Sequence, residues 1–489
     1  MSTKKTDTRY GLKISTIEGC FATVHMALTG GIYPLGFIIL LGANEFHYGL
    51  LAAIPPLVNI IPVFTSVFLS RISSRKNVTA VTGIVSRFIW ITVPFIPCFF
   101  VKSTALMIFF IIYGISWASL AISGNVWTSW MSDLVPEKVR STYFGRRNMY
   151  VTIVSFVITL AAGYFIANFQ LDKNDPSHVL DMSKGIGKFF MDIFPFTDKI
   201  MDLFGNSFKT LEFVGLSILF IAGAIASLMS LFFILRQPEP AQQTFPAQEP
   251  FSWKEYRKDK NFNNLLLFIV LWGFLNGFAG PFWGAFQIEN LSLTYKSIAL
   301  MSLASQVARI IFIPIWGRLI QKYGNKPVML FTVYFGVFHP LMYIIARRGF
   351  TLPIWWDYIS SGIIWGGLEL ALFNMLLGVS PQRGKEVYYA IFSCFANVAA
   401  ASSAMLAGSL ASIIQSYNVQ VAGMCYQQIL FLWTSVARLA VLFWIMKLTD
   451  TGAKPITVMV NDISQQVVKG LMFIPRILTA SDAETKNEE

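Results

Sequence analysis

Twelve apolar runs of about twenty residues or more recur along the chain, at roughly 15–41, 48–70, 78–100, 104–131, 148–169, 209–235, 263–289, 296–317, 327–346, 352–379, 387–415 and 425–447. A helix rising 1.5 Å per residue needs that length to cross the hydrocarbon of a bilayer. There the backbone must satisfy its own hydrogen bonds, which only a helix achieves within one segment. The expectation is an all-α membrane protein of twelve transmembrane helices. Charged residues make up 13% of the 489 positions, about half the share of a soluble domain, so a soluble globular fold is excluded.

The net charge of +12 reports topology and not a nucleic-acid partner. Lys and Arg concentrate in alternate short loops. Those after runs 2, 4, 8 and 10 carry Arg71, Arg75, Lys76, Lys138, Arg140, Arg146, Arg147, Arg318, Lys322, Lys326, Arg383 and Lys385. The short loops on the other side carry only Lys102, Lys296, Arg347 and Arg348. By the positive-inside rule both termini are cytoplasmic, in a cytoplasmic (inner) membrane whose lipids are natural partners of the basic loops. Cys20, Cys98, Cys394 and Cys425 lack metal-ligand or redox spacing. No metallohydrolase, nucleophile-elbow or phosphate-loop motif is present, so neither an enzyme nor a cofactor is expected.

The expected organisation is a cytoplasmic tail at 1–14, a six-helix bundle at 15–235, a Pro- and Gln-rich linker at 236–262, a second bundle at 263–448 and a tail at 449–489. The first bundle includes a long external loop at 170–208 with an amphipathic stretch. In the second tail, Val460, Ile463, Val467 and Leu471 recur at helical spacing.

The halves echo one another. Gly114-Ile-Ser-Trp117 matches Gly362-Ile-Ile-Trp365; Pro136, Arg140 and Tyr143 match Pro381, Lys385 and Tyr388. At an offset of 247, Pro34 and Tyr48 match Pro281 and Tyr295; at 250, Leu69, Ser74, Lys76 and Val78 match Leu319, Gly324, Lys326 and Val328. Two six-helix repeats are the natural interpretation.

With this repeat, and with Gly317, Leu319, Gly324 and Lys326 in WGRLIQKYGNKPV, the chain resembles the major facilitator superfamily of secondary transporters. In the first half only Leu69, Arg75 and Lys76 keep that signature, and the acidic position is Gln321 in one copy and Arg71 in the other. The resemblance implies a cytoplasmic gate around Gly317, Leu319, Gly324, Lys326, Arg71 and Lys76, with a latch that differs from the family's. Segments 4 and 5 lack the patterns of proton-linked drug exporters, which disfavours that branch.

Counted from the cytoplasmic ends, His25, Arg87, Arg309, Glu369 and Arg438 all fall about 13–16 Å deep, near the midplane where such transporters bind substrate and coupling ion. The resemblance implies that helices 1, 4, 7 and 10 line the cavity. This selects Glu369, His25, Asn125, Trp127 and Asn276, with Arg309 of helix 8 within reach of Glu369. Arg87 and Arg438 lie on helices that are peripheral in the family. Three deep arginines against one deep glutamate suggest an anionic solute, because a guanidinium fork suits carboxylate or phosphate. Glu369 is then either a proton carrier or the partner of Arg309. The expected function is alternating-access transport of a small polar, anionic solute, with proton symport, by a monomer. The alternatives are a lipid or lysolipid flippase, and a non-transporting receptor or assembly factor.

Overall fold

The computed structural model describes residues 2–62, 64, 74–170, 202–203, 207–240, 259–380, 385–417 and 421–465. The described chain is helical, with only two isolated bridges, Arg347 to Phe350 and Val421 to Met424. Eleven helices among the described residues are long and apolar enough to cross a membrane. The remaining run, 48–70, is described only in part, as a helix over Glu45–Val58. The expected all-α fold of twelve transmembrane helices therefore stands.

In the first half, α1 spans Ser2–Thr29 and resumes over Tyr33–Leu40. Residues expected as a polar tail continue this helix back to Ser2. The break falls where Gly31 takes φ +61°, a conformation that suits a residue without Cβ, and Pro34 opens the next helical segment. Next come α2 (Glu45–Val58), α3 (Arg75–Phe88), α4 (Lys102–Leu134), α5 (Glu137–Ala167) and α6 (Ser207–Arg236). Helix α3 continues through a 3₁₀ stretch, Ile89–Phe95, that contains Pro94.

In the second half, α7 (Lys260–Ala279) continues past Pro281 through Phe282–Ala285 into a π turn, Phe286–Asn290. It is followed by α8 (Tyr295–Tyr323), α9 (Asn325–Gly336, then His339–Ile345), α10 (Leu352–Val379), α11 (Lys385–Ser416) and α12 (Tyr426–Met446). The long loop 170–208 and the linker 236–262 lie largely outside the described residues. So does the end of the tail, including Val467 and Leu471.

Helix packing repeats between the halves. In the first, α1 packs on α5 and α6, α4 on α2 and α3, and α3 on α6; in the second, α7 packs on α11 and α12, α10 on α8 and α9, and α9 on α12. The halves meet through α2 against α11 and α5 against α8, pairs that the repeat exchanges.

These meetings lie at one end. Gly49 of α2 sits so close to α11 that a Cβ there would come within 2.5 Å of the Ala404 carbonyl oxygen and 2.9 Å of Gly408 Cα. Small residues permit this approach, and Ala53, Ala401 and Ala404 form their own buried cluster beside it. The Phe46 amide donates to Ser412 Oγ at 3.1 Å. At this end a single apolar core crosses both halves, including Phe37, Phe109 and Phe220 from the first and Phe282, Tyr295 and Phe431 from the second.

Toward the end that bears both termini the cores separate. Phe262, Trp316, Met375 and Ile445 belong to a cluster of second-half residues, whereas Trp130 and Met131 anchor small clusters in the first half. Along α5, Met149, Ile153 and Val157 are exposed, as are Ile310, Ile311 and Ile313 along α8. The molecule is a V, closed away from the termini and open on the face that bears them.

Candidate functional site

The densest buried polar cluster lies within the second half of the V, and a helix break creates it. Pro340 has no N–H to offer the Gly336 carbonyl four residues back, so α9 is interrupted between Gly336 and His339. The freed carbonyls are taken by α12. Arg438 Nη1 donates to Gly336 O at 2.6 Å, and Ser435 Oγ donates to Val337 O. Ser435 and Arg438 are three residues apart, which puts both on one helix face.

Arg438 is 2% exposed and extends across to α7. Its Nη2 donates to Asn276 Oδ1 at 2.6 Å, while Asn276 Nδ2 donates to Trp272 O at 2.7 Å. The guanidinium carbon lies 5.1 Å from the Trp272 ring centroid, in cation–π range. Its buried Nε has no hydrogen-bond partner. A buried, unpaired guanidinium N–H is costly.

Around this anchor, His339 Nδ1 lies 3.7 Å from Asp357 Oδ1, and Nε2 lies 3.4 Å from Ser360 Oγ. Tyr358 OH donates to Gln287 Oε1 at 3.1 Å, and Gln287 Nε2 donates to Tyr343 OH at 2.9 Å. Trp272 and Trp365 face one another at 5.5 Å, and Trp283 stacks on Phe431 at 4.3 Å. These side chains enclose a chamber of about 460 Å³, lined by Trp272, Asn276, His339, Asp357, Tyr358 and Arg438 among others. A neighbouring cavity of about 400 Å³ reaches Tyr358 from the first-half side, past Ala27, Tyr33 and Thr159. Each has the size of a small-molecule pocket, apolar-walled with a few convergent polar groups.

Of the residues selected from the sequence, Asn276 lies in this chamber. Arg309 and Glu369 meet as an ion pair between α8 and α10, with side chains 43% and 53% exposed. Arg309 follows Tyr295 by fourteen positions, which turns it only about 40° from the stripe of α8 that meets the first half at the closed end. The pair therefore borders the opening of the V. Glu369 lies eleven residues beyond Tyr358, about 16 Å down α10 toward the open end.

The other candidates lie apart. His25 is buried between α1 and α6, with Nδ1 at 3.1 Å from Gly223 O and Nε2 at 3.3 Å from Thr29 Oγ1, so it packs and does not line the chamber. Asn125 Nδ2 donates to Pro62 O at 3.2 Å, beside a separate cavity of about 300 Å³. The Trp127 ring lies 4.5 Å from the Arg147 guanidinium.

At the open end, Gly324 takes φ +95° as α8 ends, and Lys326 Nζ donates to Met446 O at 2.7 Å and Leu448 O at 2.9 Å, satisfying the last carbonyls of α12. Leu319 packs against the second-half core, Gly317 faces open space, and Arg71 lies outside the described residues.

The acid missing from both signature loops is supplied from elsewhere. Asp450, just after α12, accepts from the Asn325 and Lys326 amides at 2.6 and 2.9 Å. Glu239, just after α6, accepts from the Arg75 and Lys76 amides at 2.6 and 3.2 Å. Each carboxylate sits on the N-terminus of the third helix of its half, where the helix dipole favours negative charge.

The fold narrows the expected excess of deep positive charge to Arg438. Arg87 Nη1 lies 3.6 Å from Glu18 Oε1 and donates to Ser230 Oγ, Arg309 is paired with Glu369, and Arg438 is held by Asn276 and a carbonyl. Sequence reasoning passed over His339, Asp357, Tyr343, Tyr358 and Gln287. The available signal was Pro340 directly after His339, which marks a broken helix beside a polar group. Asp357 directly follows Trp355-Trp356, an aromatic pair of the kind that forms an interfacial belt. Trp356 is indeed 64% exposed, but Asp357 faces inward.

Residues 202–404 match the model of the Major Facilitator Superfamily. A 130-residue stretch is 28% identical to the class H tetracycline resistance protein of Pasteurella multocida, covering 26% of this chain and 31% of that relative. The chain thus matches under a third of the relative's length. Among solved structures, the fold is similar to a bacterial homolog of the human lysosomal transporter Spinster in an inward-facing, occupied conformation (TM-score 0.63, 14% identity, 90% of this chain and 96% of that one). It is also similar to a D-xylose–proton symporter (TM-score 0.60, 14% identity, 92% and 99%) and to the nucleoside transporter NupG (TM-score 0.59, 14% identity, 90% and 98%). The matched segment resembles the Major Facilitator Superfamily model over part of the chain, and the helical fold is similar to that of these solved transporters.

Proposed function

We propose that this protein is an alternating-access secondary transporter that binds a small polar solute in the chamber around Asn276 and Arg438. The observation that carries the reading is Arg438, a buried guanidinium with an unpartnered Nε, in the lining of a chamber of about 460 Å³ at the closed end of a V-shaped cleft. A carboxylate on the solute is the acceptor best matched to that donor, because hydrogen bonds between ions are stronger than neutral ones. Trp272, Trp283 and Trp365 offer flat faces for the rest of the molecule.

In this reading the open face is cytoplasmic, in accord with the basic loops. Rocking of the halves about the α2–α11 and α5–α8 contacts exchanges access between the two sides. Proton coupling falls to the Asp357–His339 pair, whose side chains lie beside the solute site. Glu369, already engaged by Arg309, acts on the wall of the entry path and stabilises the open-cleft state.

The test is uptake into proteoliposomes with and without an imposed proton gradient, screening organic anions, sugars, nucleosides and amino acids. A solute whose uptake is lost in Asn276→Ala and Arg438→Lys, but kept in His25→Gln, supports the reading. Uptake insensitive to both chamber substitutions overturns it.

A further inference from the structure

We propose that the groove between residues 9–20 of α1 and the first turns of α5, on the termini-bearing face, is a binding site for an anionic phospholipid. The groove encloses about 900 Å³, larger than either cavity near the chamber, and is separate from them. Cations and apolar side chains share its walls. Arg9 and Lys13 stand where α1 enters the membrane, and Arg146 of α5 closes the same cluster. Ile17 and Cys20 of α1 and Tyr150 of α5 lie beyond these cations along their helices, and Leu12 and Val139 add apolar wall nearer the surface.

Charge complementarity selects the occupant. No carboxylate lines the groove. Arg147 already faces Glu18 at 3.8 Å, but no ion pair among the described residues engages Arg9, Lys13 or Arg146. The Tyr143 hydroxyl, on the same wall, has no hydrogen-bond partner. Exposed cations, an unpartnered hydroxyl and apolar walls match a phosphate headgroup with its acyl chains. Basic pockets between helices at a bilayer surface take such headgroups. A soluble anion would leave the apolar walls uncovered, and a neutral lipid would leave three cations uncompensated.

The site has a mechanical consequence. Gly19 of α1 packs directly on the Arg147 side chain, so a lipid wedged above this contact braces α1 against α5. Helix α5 also carries Gly163, whose missing Cβ admits Ala299 of α8 at the closed end. Headgroup occupancy therefore acts on a helix that bridges the halves.

The experiment measures binding of phosphatidylglycerol and phosphatidylcholine to the purified full chain in nanodiscs, alongside thermal unfolding. The wild type is expected to bind phosphatidylglycerol in preference and to gain thermal stability from it. Each cation near the surface contributes about a fivefold gain, so Arg9→Gln/Lys13→Gln/Arg146→Gln is expected to weaken binding about 100-fold. Lys138→Gln, an exposed cation of α5 outside the groove, should leave it unchanged. Should the triple variant unfold, Lys13→Gln alone is expected to lose about fivefold. Equal phosphatidylglycerol binding by wild type and the cation variants overturns the proposal. So does inorganic phosphate displacing the lipid at millimolar concentration, which would make the site one for a soluble anion.

Discussion

Tyr48 and Tyr295, equivalent in the two halves at a separation of 247 residues, each donate a hydrogen bond to a glutamate of the opposite half. Tyr48 OH reaches Glu289 Oε1 at 2.7 Å, and Tyr295 OH reaches Glu212 Oε1 at 2.8 Å. The two bonds form a reciprocal clasp at the closed end of the V. Gly36 makes room for it, since a Cβ there would collide with the Tyr295 hydroxyl. Gln170 adds a third link, accepting from the Tyr295 amide at 2.9 Å.

Removing one hydroxyl should loosen the closed end. A hydrogen bond to a charged group contributes about 1.5–3 kcal/mol, so Tyr295→Phe is expected to shift the equilibrium toward opening at this end by about tenfold or more. Alkylation of a cysteine introduced at Ala43 measures the opening. An unchanged alkylation rate would mean that the clasp carries no closing energy.

Gly49→Val should act in the same direction by a different cause. With 2.5 Å between the added Cβ and the Ala404 carbonyl oxygen, α2 and α11 must separate. Overpacking of this kind costs about 1–3 kcal/mol. The same alkylation assay should rise, and a Gly408→Ala exchange should reproduce it.

Asn276→Ala leaves Arg438 without its side-chain acceptor in a buried site. The expected cost is about 1–3 kcal/mol of thermal stability, together with loss of solute binding. Arg438→Lys, which cannot bridge Asn276 and Gly336 with one planar group, should impair binding similarly. Wild-type binding in both variants would move the solute site out of the chamber.

Glu369→Gln tests the cleft-wall pair. Ion pairs with this much solvent exposure contribute at most about 1 kcal/mol, so melting should barely change. A change in transport rate at unchanged solute affinity is expected. Loss of solute affinity would instead assign Glu369 to the binding site.

Outside the membrane, the helix at 456–465 docks on the end of α8. Asp462 Oδ2 accepts from Tyr323 OH at 2.6 Å and from Lys322 Nζ at 2.9 Å, and Met459 is buried beside them. The Tyr323 hydroxyl first, then Lys322, hold the Asp462 carboxyl below its ordinary value of 3.8. A depressed carboxyl favours docking above its unfolded pKa and loses that contribution as pH falls through the folded one. Protection from hydrogen exchange at 456–465, relative to the intrinsic rate at each pH, should therefore be high near neutrality and fall as the solution is acidified toward that range. Asp462→Asn should remove the acid-dependent part.

The twelve apolar runs, the basic loops and the echo between Tyr48 and Tyr295 determined the membrane class and the two-fold repeat, because bilayer length and hydropathy are local properties of the chain. They also marked Glu369 and Arg309 as a pair, since a deep charge needs a partner within one helix contact. The chamber was not legible in the same way. Asp357 and His339 looked interfacial or ordinary until the break before Pro340 turned free carbonyls toward Arg438. The partner of each deep arginine depended on which helices packed together. Glu18 reaches Arg87 and Asn276 reaches Arg438 only across helix contacts, and the acids missing from the signature loops arrive from beyond α6 and α12. Linear spacing sets the depth of a side chain in the membrane, but its neighbour at that depth is set by the packing of helices distant in sequence.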